Sequence, residues 1–416
     1  MTDSDDVLVI GGGVIGVCSA YYLAERGCRV VLIDQDEICS GASWGNAGFV
    51  CPSHAVPLAA PGVIGQAIRW MFDPASPFYI KPRLNRELFS WLLRFAAACT
   101  EVKMEQSMPV LRALGVASME LHEQLAAIDG LAFDMRREGL LMVYGRPEAY
   151  EAGAEEARLL QDHGVRAVIL GARELQQRLG DLGCTGLGAV FFPDDAHLDP
   201  GEFVKGLARM AEGMGVEIRP STEVLGWETS GHRVTGVRTT RGTLHPGQIV
   251  LATGAWSASL ARDLGITLPI QAAKGYSVTF KRPANCLDVP MLLGETKVAV
   301  TPLADALRLG GTLELAGMDL SVNQRRVDAI LQAAQRFLPG LSPSEITEIW
   351  RGLRPCTPDG LPMLGRCEGY DNLVVAAGHG TLGIALGPVT GKLVSQVLLD
   401  ETPMMDLRLL RVDRFA

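Results

Sequence analysis

The chain has 416 residues, of which 48% are hydrophobic and 20% charged, with 47 Gly and 23 Pro. This composition is typical of a globular protein and excludes collagen-like, coiled-coil and wholly disordered chains. The 38 Lys and Arg against 47 Asp and Glu give a formal net charge of −9, which argues against wide contacts with nucleic-acid phosphates. At this length we expect two domains, interleaved or consecutive.

The nine cysteines are scattered and never spaced Cys-x-x-Cys. The sequence therefore indicates neither a disulfide framework nor a zinc site, no metal is expected, and a reducing compartment fits best. The first apolar run, residues 7–10, is too short for a signal peptide or a membrane span and has no basic segment before it. We expect it to be folded structure.

The N-terminal segment has the pattern of a nucleotide-binding βαβ unit. A strand at 7–10 is followed by the glycine-rich stretch 11–16, a helical pattern that ends near Arg26 with Gly27 as its cap, and a second strand at 30–33. In this context the glycines are a strong signal for a dinucleotide site.

Each glycine of that stretch has a steric reason. Gly11 permits a tight turn, Gly13 lets the backbone approach a pyrophosphate, and Gly16 lets the helix pack on the strand. The N–H groups where the helix begins, at Val14 and Ile15, would then face the phosphates. The alternative is a glycine-rich βα turn that binds nothing.

Asp34 follows the second strand, eighteen residues after Gly16, and Gln35 comes next. Its carboxylate would accept hydrogen bonds from both ribose hydroxyls and would repel a 2′-phosphate. The pattern therefore disfavours an NADP-type ligand.

The middle of the chain alternates between helical and strand patterns. The expected helices are 88–128, 149–163 and one that starts at Asp199-Pro200-Gly201 and runs to Met214. The expected strands are 140–144 and 165–170, with a β-meander over 216–251. No internal repeat is visible.

Three further segments are rich in small residues. The first, after the second strand, suits close packing against a large flat ligand and contains Ser40, Gly41, Ala42, Ser43, Asn46, Ala47, Gly48 and Phe49. Two others follow apolar strands at 249–252 and 373–377, and contain Thr253, Gly254 and Trp256, and Gly378, His379, Gly380, Thr381, Leu382 and Gly383. Each turn alone is weak evidence, because apolar strands that end in glycine are common.

These motifs, with segments 59–62, 70–72, 274–277 and 352–362, resemble the FAD-dependent D-amino-acid oxidase superfamily (the DAO family) over nearly the whole chain. The likeness is to its bacterial D-amino-acid dehydrogenase, D-hydroxyproline dehydrogenase and glycine oxidase branch. It implies an α/β, two-domain fold in which a Rossmann-like FAD-binding domain is interleaved with a substrate domain built on a mixed, largely antiparallel sheet and helices. We expect residues 1–50, 195–268 and 346–416 in the first domain and residues 51–194 and 269–345 in the second.

The resemblance also implies an extended FAD with its adenine end on the first βαβ unit and the C-terminal glycine loop under the pyrimidine ring. Since a helix is predicted to begin near Pro388, its dipole and the loop N–H groups could face the anionic reduced flavin. Cys356 departs from the pattern of relatives that attach flavin covalently, because it follows Arg354 by two residues with a proline between. We therefore expect non-covalent FAD.

Three residues are candidates for catalysis. Arg354, in a Gly-x-Arg-Pro context, would pair bidentately with a substrate α-carboxylate; the alternative is an interdomain salt bridge. Tyr276 could donate its hydroxyl to the same carboxylate, although an aromatic on a strand is more often packing. His54 could take up or direct a proton near the amine, and a surface histidine is equally compatible.

The resemblance implies that the chain oxidises a small D-amino acid or cyclic imino acid by hydride transfer from Cα to flavin N5. The expected substrates are D-alanine-like, D-proline-like or hydroxyproline-like. The product is an imine that water hydrolyses to a 2-oxo acid. A glycine or sarcosine oxidase is the alternative activity. A non-catalytic FAD-binding regulatory protein and an NAD-dependent dehydrogenase are alternatives from different functional classes.

The expected partners are the amino-acid substrate and an electron acceptor, either oxygen or a quinone of the respiratory chain. No nucleic acid is expected, and a homo-oligomer is left open. A cluster of apolar residues could touch a lipid surface or an acceptor protein, although burial in the substrate domain is the commoner explanation: Trp70, Met71, Phe72, Phe78 and Tyr79. We therefore expect a cytoplasmic protein with at most peripheral contact at the inner face of the plasma membrane.

Overall fold

The computed structural model describes residues 6–71, 73, 76–180, 183–341 and 345–415. Over these ranges, six strands form a sheet, the cofactor sheet, that is parallel except at one edge. In spatial order they are Met363–Cys367 (β19), Tyr370–Ala377 (β20), Gln248–Leu251 (β13), Asp6–Ile10 (β1), Arg29–Ile33 (β2) and Glu217–Arg219 (β9). The central strands are almost entirely buried, as expected for a parallel sheet that is covered on both faces.

A second, mostly antiparallel sheet, the substrate sheet, contains nine strands of the described chain. In spatial order they are Ile346–Cys356 (β18), Gln271–Lys281 (β14), Ala306–Leu315 (β17), Val298–Pro302 (β16), Met291–Leu293 (β15), Leu140–Tyr144 (β5), Gly188–Phe192 (β7) and Val168–Gly171 (β6), with Phe78–Ile80 (β4) beside β17. The pairs β15–β5 and β17–β4 are parallel.

Two smaller sheets complete the strands. Val224–Ser230 (β10), Arg233–Thr239 (β11) and Gly242–Leu244 (β12) form an antiparallel sheet, and Phe49–Val50 (β3) pairs with Ala196–His197 (β8). The predicted meander over 216–251 is therefore correct only in its middle. Its first and last strands, β9 and β13, join the cofactor sheet in parallel pairs.

The helices of the described chain are Val14–Glu25 (α1), Val63–Met71 (α2), Arg86–Ala98 (α3), Glu101–Ala126 (α4), Pro147–Asp162 (α5), Ala172–Leu179 (α6), Pro200–Gly213 (α7), Ser257–Arg262 (α8), Gln324–Phe337 (α9) and Gly383–Leu398 (α10). Within the described ranges, no helix has the length and apolar character needed to cross a bilayer. The helical stretch predicted over 88–128 is two helices, because Thr100 begins α4 as its N-cap, with its side chain accepting from the Lys103 N–H.

Helices α1 and α10 pack together over the cofactor sheet and begin at the same end of it. Gly391 makes this close approach possible, since a Cβ there would lie 2.5 Å from the backbone carbon of Cys18. α10 begins at Gly383, so the predicted start near Pro388 is wrong: Pro388 lies inside the helix. Proline is common at a helix start, which made it a misleading signal.

The mixed α/β fold with several sheets confirms the predicted fold class. The exact division into domains stays a prediction, but one boundary needs correction. Residue 346 was placed at the start of the last cofactor-domain segment, whereas β18 pairs along its length with β14 in the substrate sheet. A cofactor-domain segment would therefore begin after Cys356.

The apolar cluster expected to be buried is only partly buried: Trp70 is half-buried. No residue of α2 is buried, and Met71 is 44% exposed. Phe78 and Tyr79, on β4, are partly buried, and Phe72 lies outside the described residues. In the α2 part, Trp70 is half-buried and Met71 is exposed, and both border the cavity described below, so the favoured burial holds only in part. The periodicity of one helix does not reveal how much packs on its apolar face.

Candidate active site

A cavity of about 1370 Å³ extends from the carboxyl ends of β1, β2 and β13 to the face of the substrate sheet formed by β16, β17 and β18. This volume exceeds the roughly 300 to 1,000 Å³ typical of pockets for small ligands. Of the residues predicted from sequence, most border it; the exceptions are Gly16, Gly48, Gly378 and Tyr276.

The first glycine turn forms one wall, with Gly11, Gly13, Val14 and Ile15 on the cavity. Gly11 has φ +113°, and a Cβ on it would lie 2.5 Å from the carbonyl oxygen of Ala252. A Cβ on Gly16 would lie 1.8 Å from the Gly11 carbonyl oxygen. Gly16 therefore allows the helix to pack on the turn, as its predicted steric role requires, without reaching the cavity.

The N-terminus of α1 points at this wall. Its N-cap residue, Gly13, has no side chain to cap it, and the Val14 N–H donates to Ser43 Oγ at 3.0 Å. The Val14 N–H is thus already paired with Ser43, which leaves the Ile15 N–H and the positive end of the helix dipole to face a phosphate.

Asp34 lies at the carboxyl end of β2, and both it and Gln35 border the cavity. Its Oδ2 accepts from the Gly12 N–H at 2.6 Å and its Oδ1 from the Asp36 N–H at 2.8 Å. Burial raises the pKa of Asp34, while these two N–H donors oppose the shift. Each carboxylate oxygen keeps a second lone pair, so the group can still accept from ribose hydroxyls.

The loop after β2 borders the cavity through Ser40, Gly41, Ala42, Ser43, Asn46, Ala47 and Phe49. Gly48 does not reach the cavity. It has φ +76°, and a Cβ on it would lie 2.1 Å from the carbonyl oxygen of Leu198. Gly48 is therefore required by the backbone of the loop rather than by contact with a ligand.

The substrate sheet holds this loop through a residue that the sequence did not single out. Arg308 on β17 is buried, and its Nη1 donates to the carbonyls of Trp44 at 3.0 Å and Asn46 at 2.9 Å. Thr301 on β16 donates to the Ala47 carbonyl at 2.7 Å. Burial lowers the pKa of Arg308, and the nearby Asp199 opposes this.

The two later glycine turns also reach the cavity. Thr253, Gly254 and Trp256 border it beside the first turn, and His379, Gly380, Thr381, Leu382 and Gly383 border it where α10 begins. Gly378 instead lines a side chamber of about 210 Å³. The N-cap residue of α10, Leu382, makes no side-chain cap, so the N–H groups of α10 are available to a ligand.

His379 is fixed by its surroundings. It is buried, its Nε2 lies 3.0 Å from Thr390 Oγ1, and burial lowers its pKa to about 3. A ring that stays neutral fits the expectation that the backbone of this residue matters more than its imidazole.

Arg354 projects from β18 into the cavity wall. Its Nη1 donates to the Thr312 carbonyl at 2.6 Å, and no carboxylate of the described chain lies within ion-pair distance of it. Gly275 makes room for it, since a Cβ there would lie 1.8 Å from Nη1. Burial lowers the pKa of Arg354, and a guanidinium stays charged even so. The result is a cation held beside the cavity by a neutral acceptor.

Tyr276 does not join Arg354, so its predicted contact with the substrate carboxylate is wrong. In the register of β14 and β18, Arg354 pairs with Ala273 and Tyr276 pairs with Arg351. Paired residues share a face of the sheet and neighbours alternate, so Tyr276 and Arg354 lie on opposite faces. The Tyr276 hydroxyl donates to Glu314 Oε2 at 3.0 Å instead.

His54 borders both the cavity and the side chamber. Burial lowers its pKa to about 4, and the charge of Lys297 adds to the shift. His54 is therefore neutral near pH 7. A weakly basic imidazole suits directing a proton by hydrogen bonding better than taking one up.

The cavity fits an extended dinucleotide with a flat ring system. At one wall, the start of α1 offers N–H groups to phosphates and Asp34 offers a carboxylate to a ribose. Another part of the cavity wall contains the start of α10, which has no side-chain cap. Residues 6–397 match the model of the DAO family, which is described as FAD dependent oxidoreductase. The chain belongs to this family. FAD is thus its cofactor, and the predicted family, cofactor and enzyme class are confirmed.

Relatives within this family agree along the whole chain. The D-amino acid dehydrogenase of Methylobacterium radiotolerans is 33% identical over 99% of both chains, and that of Cereibacter sphaeroides (strain ATCC 17023) is 34% identical over 99% of this chain and 95% of its own. Among solved structures, glycine oxidase from Geobacillus kaustophilus superposes with a TM-score of 0.80 at 26% identity, over 98% of both chains.

Sequence reasoning missed the residues of the substrate sheet that border the FAD site or support it. Gly275 and Thr312 surround the Arg354 guanidinium, and Arg308 holds the cofactor loop. One signal was available: Gly310 and Gly311 interrupt a strand in which leucines alternate with polar residues, and glycine inside a strand is typical of a bulge or a close backbone approach.

Proposed function

We propose that this FAD-dependent oxidoreductase oxidises a small D-amino or cyclic imino acid to its imine, which water then hydrolyses to a 2-oxo acid. The observation that carries the proposal is the Arg354 guanidinium, which borders the cavity with Thr312 as a neutral partner. FAD, when bound, supplies the two-electron acceptor for the hydride that leaves the substrate Cα. The names of the dehydrogenase relatives support an amino-acid substrate and its D configuration.

In this proposal the protein acts mainly by binding and orientation. Arg354 pairs with the α-carboxylate and thereby fixes the direction of the Cα–H bond. The low polarity of the cavity wall favours the neutral amine, which is the reactive form. His54, neutral itself, directs the amine proton by hydrogen bonding.

The side chains next to Arg354 support a substrate with a small apolar side chain. Trp91, Leu92 and Phe95 of α3 border the cavity, and the Trp91 indole donates to the Cys356 carbonyl at 3.0 Å, two residues from Arg354. An apolar wall suits alanine, proline or a proline-like ring better than an acidic side chain. D-Proline, hydroxyproline and D-alanine are our candidates.

A glycine or sarcosine oxidase is the second candidate. It is favoured by the structural likeness to a glycine oxidase at a TM-score of 0.80. The two candidates predict different results in one experiment.

That experiment mixes the purified yellow protein, without oxygen, with a panel of D- and L-amino acids that includes proline, hydroxyproline, glycine and sarcosine. Loss of the flavin absorption identifies the substrate, and recovery after addition of air or of a quinone analogue identifies the acceptor. The Arg354→Leu variant is the control for carboxylate binding. If no amino or imino acid bleaches the flavin, a non-catalytic FAD-binding role replaces the proposal.

We also propose that FAD is held non-covalently. The Cys356 thiol is buried, and burial raises its pKa to about 11, so it carries almost no thiolate at pH 7 and is a poor nucleophile. Acid precipitation should leave the yellow colour in the supernatant; a yellow pellet would contradict this.

For the acceptor, we propose oxygen or a membrane quinone, with peripheral membrane contact through α2 and α3. Support comes from large apolar side chains that are exposed there: Phe89 and Leu93 on α3, which lie outside the cavity wall, and Ile64, Ile68 and Met71 on α2, which also border the cavity. Flotation of the holoenzyme with phospholipid vesicles tests this, with Phe89→Ser as the variant expected to bind less.

A further inference from the structure

Strand β17 contains a β-bulge next to Arg354. Lys274 pairs with Glu314, but Tyr276, two residues later on β14, pairs with Gly311, three residues earlier on β17. One residue of β14, Gly275, therefore lies opposite two residues of β17, Thr312 and Leu313. Thr312 has φ +66°, a left-handed conformation that a β-branched residue rarely adopts.

The bulge supplies both contacts that define the position of Arg354. It directs the Thr312 carbonyl to Nη1 at 2.6 Å, and the residue opposite the bulge is the glycine whose missing Cβ leaves space for the guanidinium. Backbone strain at a functional side chain persists only where the surrounding structure enforces it.

On the other face of the sheet, a buried polar cluster connects the two sides of the bulge. The Tyr276 hydroxyl donates to Glu314 Oε2 at 3.0 Å, and Lys274 Nζ lies 3.8 Å from the same oxygen. Tyr276 pairs before the bulge and Glu314 pairs after it, so their hydrogen bond crosses the bulge. All three side chains are at most 4% exposed.

The cluster also connects the bulge to the chain beyond β17. Lys274 Nζ donates to the Ser321 carbonyl at 2.9 Å and lies 3.3 Å from Asp319, and the Asn323 N–H donates to the Tyr276 hydroxyl at 3.3 Å. Burying charged groups is costly, and apolar residues of similar volume often give an equally stable core. Stability alone therefore does not account for these residues.

We propose that Lys274, Tyr276 and Glu314 are positioning residues that hold the bulge in place and thereby fix Arg354 for the substrate carboxylate. Without the bond across the bulge, β17 can shift toward regular pairing with β14, and such a shift rotates the Thr312 carbonyl away from Arg354. This inference rests on the proposed function, because it assumes that Arg354 binds the substrate carboxylate.

The test compares two Tyr→Phe variants of the holoenzyme. Tyr276→Phe removes the hydroxyl that crosses the bulge, and we expect the KM of the best amino acid to rise about fivefold, with kcat changed less than twofold and flavin content unchanged. Tyr370→Phe removes a hydroxyl that donates to the Leu264 carbonyl at 3.2 Å in another part of the protein. The KM of Tyr370→Phe should equal that of the unmodified protein. Equal KM values for both variants would overturn the inference, even if both lose thermal stability.

Glu314 provides a second, independent measurement in case Tyr276→Phe folds poorly. Glu314→Gln keeps an acceptor for the Tyr276 hydroxyl, so its KM should rise less than that of Glu314→Leu. The opposite order would contradict the proposed role.

A double variant separates this inference from the proposed function. In an Arg354→Leu background, Tyr276→Phe should have no further effect on KM, because the group that it positions is gone. If Arg354→Leu itself leaves KM unchanged, the proposed function fails. If Arg354→Leu raises KM and Tyr276→Phe does not, only the positioning role fails.

Discussion

The Arg354 side chain carries a charge that the free protein does not neutralise with a carboxylate in the described part of the chain. Burial disfavours this charge, as the lowered pKa indicates. A substrate carboxylate would offset that penalty and form two charge-assisted hydrogen bonds with the planar fork. In the proposed function, the strength of substrate binding would therefore depend on how closely the guanidinium of Arg354 is held in place.

Replacing Arg354 with leucine should raise KM about 10- to 100-fold, because hydrogen bonds to charged groups contribute about 1.5 to 3 kcal/mol. Arg354→Lys keeps the charge but loses the fork, so its KM should lie between those of the parent and the leucine variant. Steady-state kinetics measure both. The flavin absorption spectrum should remain that of bound FAD, and unchanged kinetics would remove Arg354 from the site.

Gly275→Ala should displace the guanidinium, since the added Cβ would lie 1.8 Å from Nη1. We expect a KM increase of at least tenfold with FAD retained, measured by the same kinetics. Gly213→Ala at the end of α7 is the matched control, because no atom lies within 4 Å of its added Cβ. That variant should have parental kinetics, and a parental KM for Gly275→Ala would show that the space beside Arg354 is not critical.

The sequence singled out Arg354, which the structure places on the cavity wall, but it did not single out the neighbours of Arg354. Its Gly-x-Arg-Pro context is a local motif, whereas Tyr276 was misplaced because its face depends on the register between β14 and β18. A shift of one residue in register moves a side chain to the other face, and the sequence of a strand does not record its register.

Among the secondary-structure elements, β17 connects both halves of the site. Arg308, near its start, donates to the loop that borders the FAD site, and the Thr312 carbonyl, near its end, accepts from Arg354. One strand therefore holds both the loop that borders the FAD site and the guanidinium of Arg354. Strand residues give more reproducible positions than loop residues do.

Arg308→Met should weaken FAD binding about tenfold or more, because two loop carbonyls lose a charged donor. Titration of the apoprotein with FAD, followed by flavin fluorescence, measures this dissociation constant. Arg282→Met is the control outside the cavity wall: Arg282 also donates to a backbone carbonyl, that of Leu303 at 2.5 Å, and in addition pairs with Asp288. Equal FAD affinity in both variants would mean that the loop keeps its shape without Arg308.

Local elements were predicted better than long-range ones. The unit β1–α1–β2 follows from signals within about thirty residues, and α7 begins at the predicted Asp199-Pro200 pair, where Asp199 accepts from the N–H groups of Gly201 and Glu202. β9 and β13 were assigned to one meander because the whole segment between them has the sequence pattern of consecutive strands. Their parallel partners, β2 and β1, lie about 190 and 240 residues away in sequence, a distance over which hydrophobic patterns carry no pairing information.

At the scale of the whole molecule, four histidines are held in low-pKa environments. Burial lowers the pKa values of His54, His122 and His197 to about 4 and that of His379 to about 3. In the unfolded chain each would accept a proton below about pH 6.5. Acidification therefore adds protons to the unfolded state and not to the folded one. Asp195 acts in the opposite direction, because burial raises its pKa to about 7 and it holds a proton only when folded.

The free energy of unfolding should thus fall as the pH is lowered from 6.5 toward 4, by roughly 3 kcal/mol per pH unit near pH 5.5, since the histidines outnumber Asp195. Above about pH 8 these groups add no further slope, because the unfolded histidines and the folded Asp195 have by then lost their protons. Urea unfolding of the holoenzyme at pH 5, 6 and 7.5 measures this dependence. His197→Gln, which removes a histidine remote from Arg354, should make it shallower; equal stability at the three pH values would contradict the assignment.

The dual attachment of β17 has a consequence for redesigning the enzyme. Substitutions in that strand would disturb both the loop that borders the FAD site and the Thr312 contact of Arg354, so they are poor starting points for changing selectivity. Leu92 and Phe95 of α3 face the same space without bearing on either attachment. Directed evolution toward bulkier donors should therefore accumulate accepted changes on α3 and leave β17 untouched.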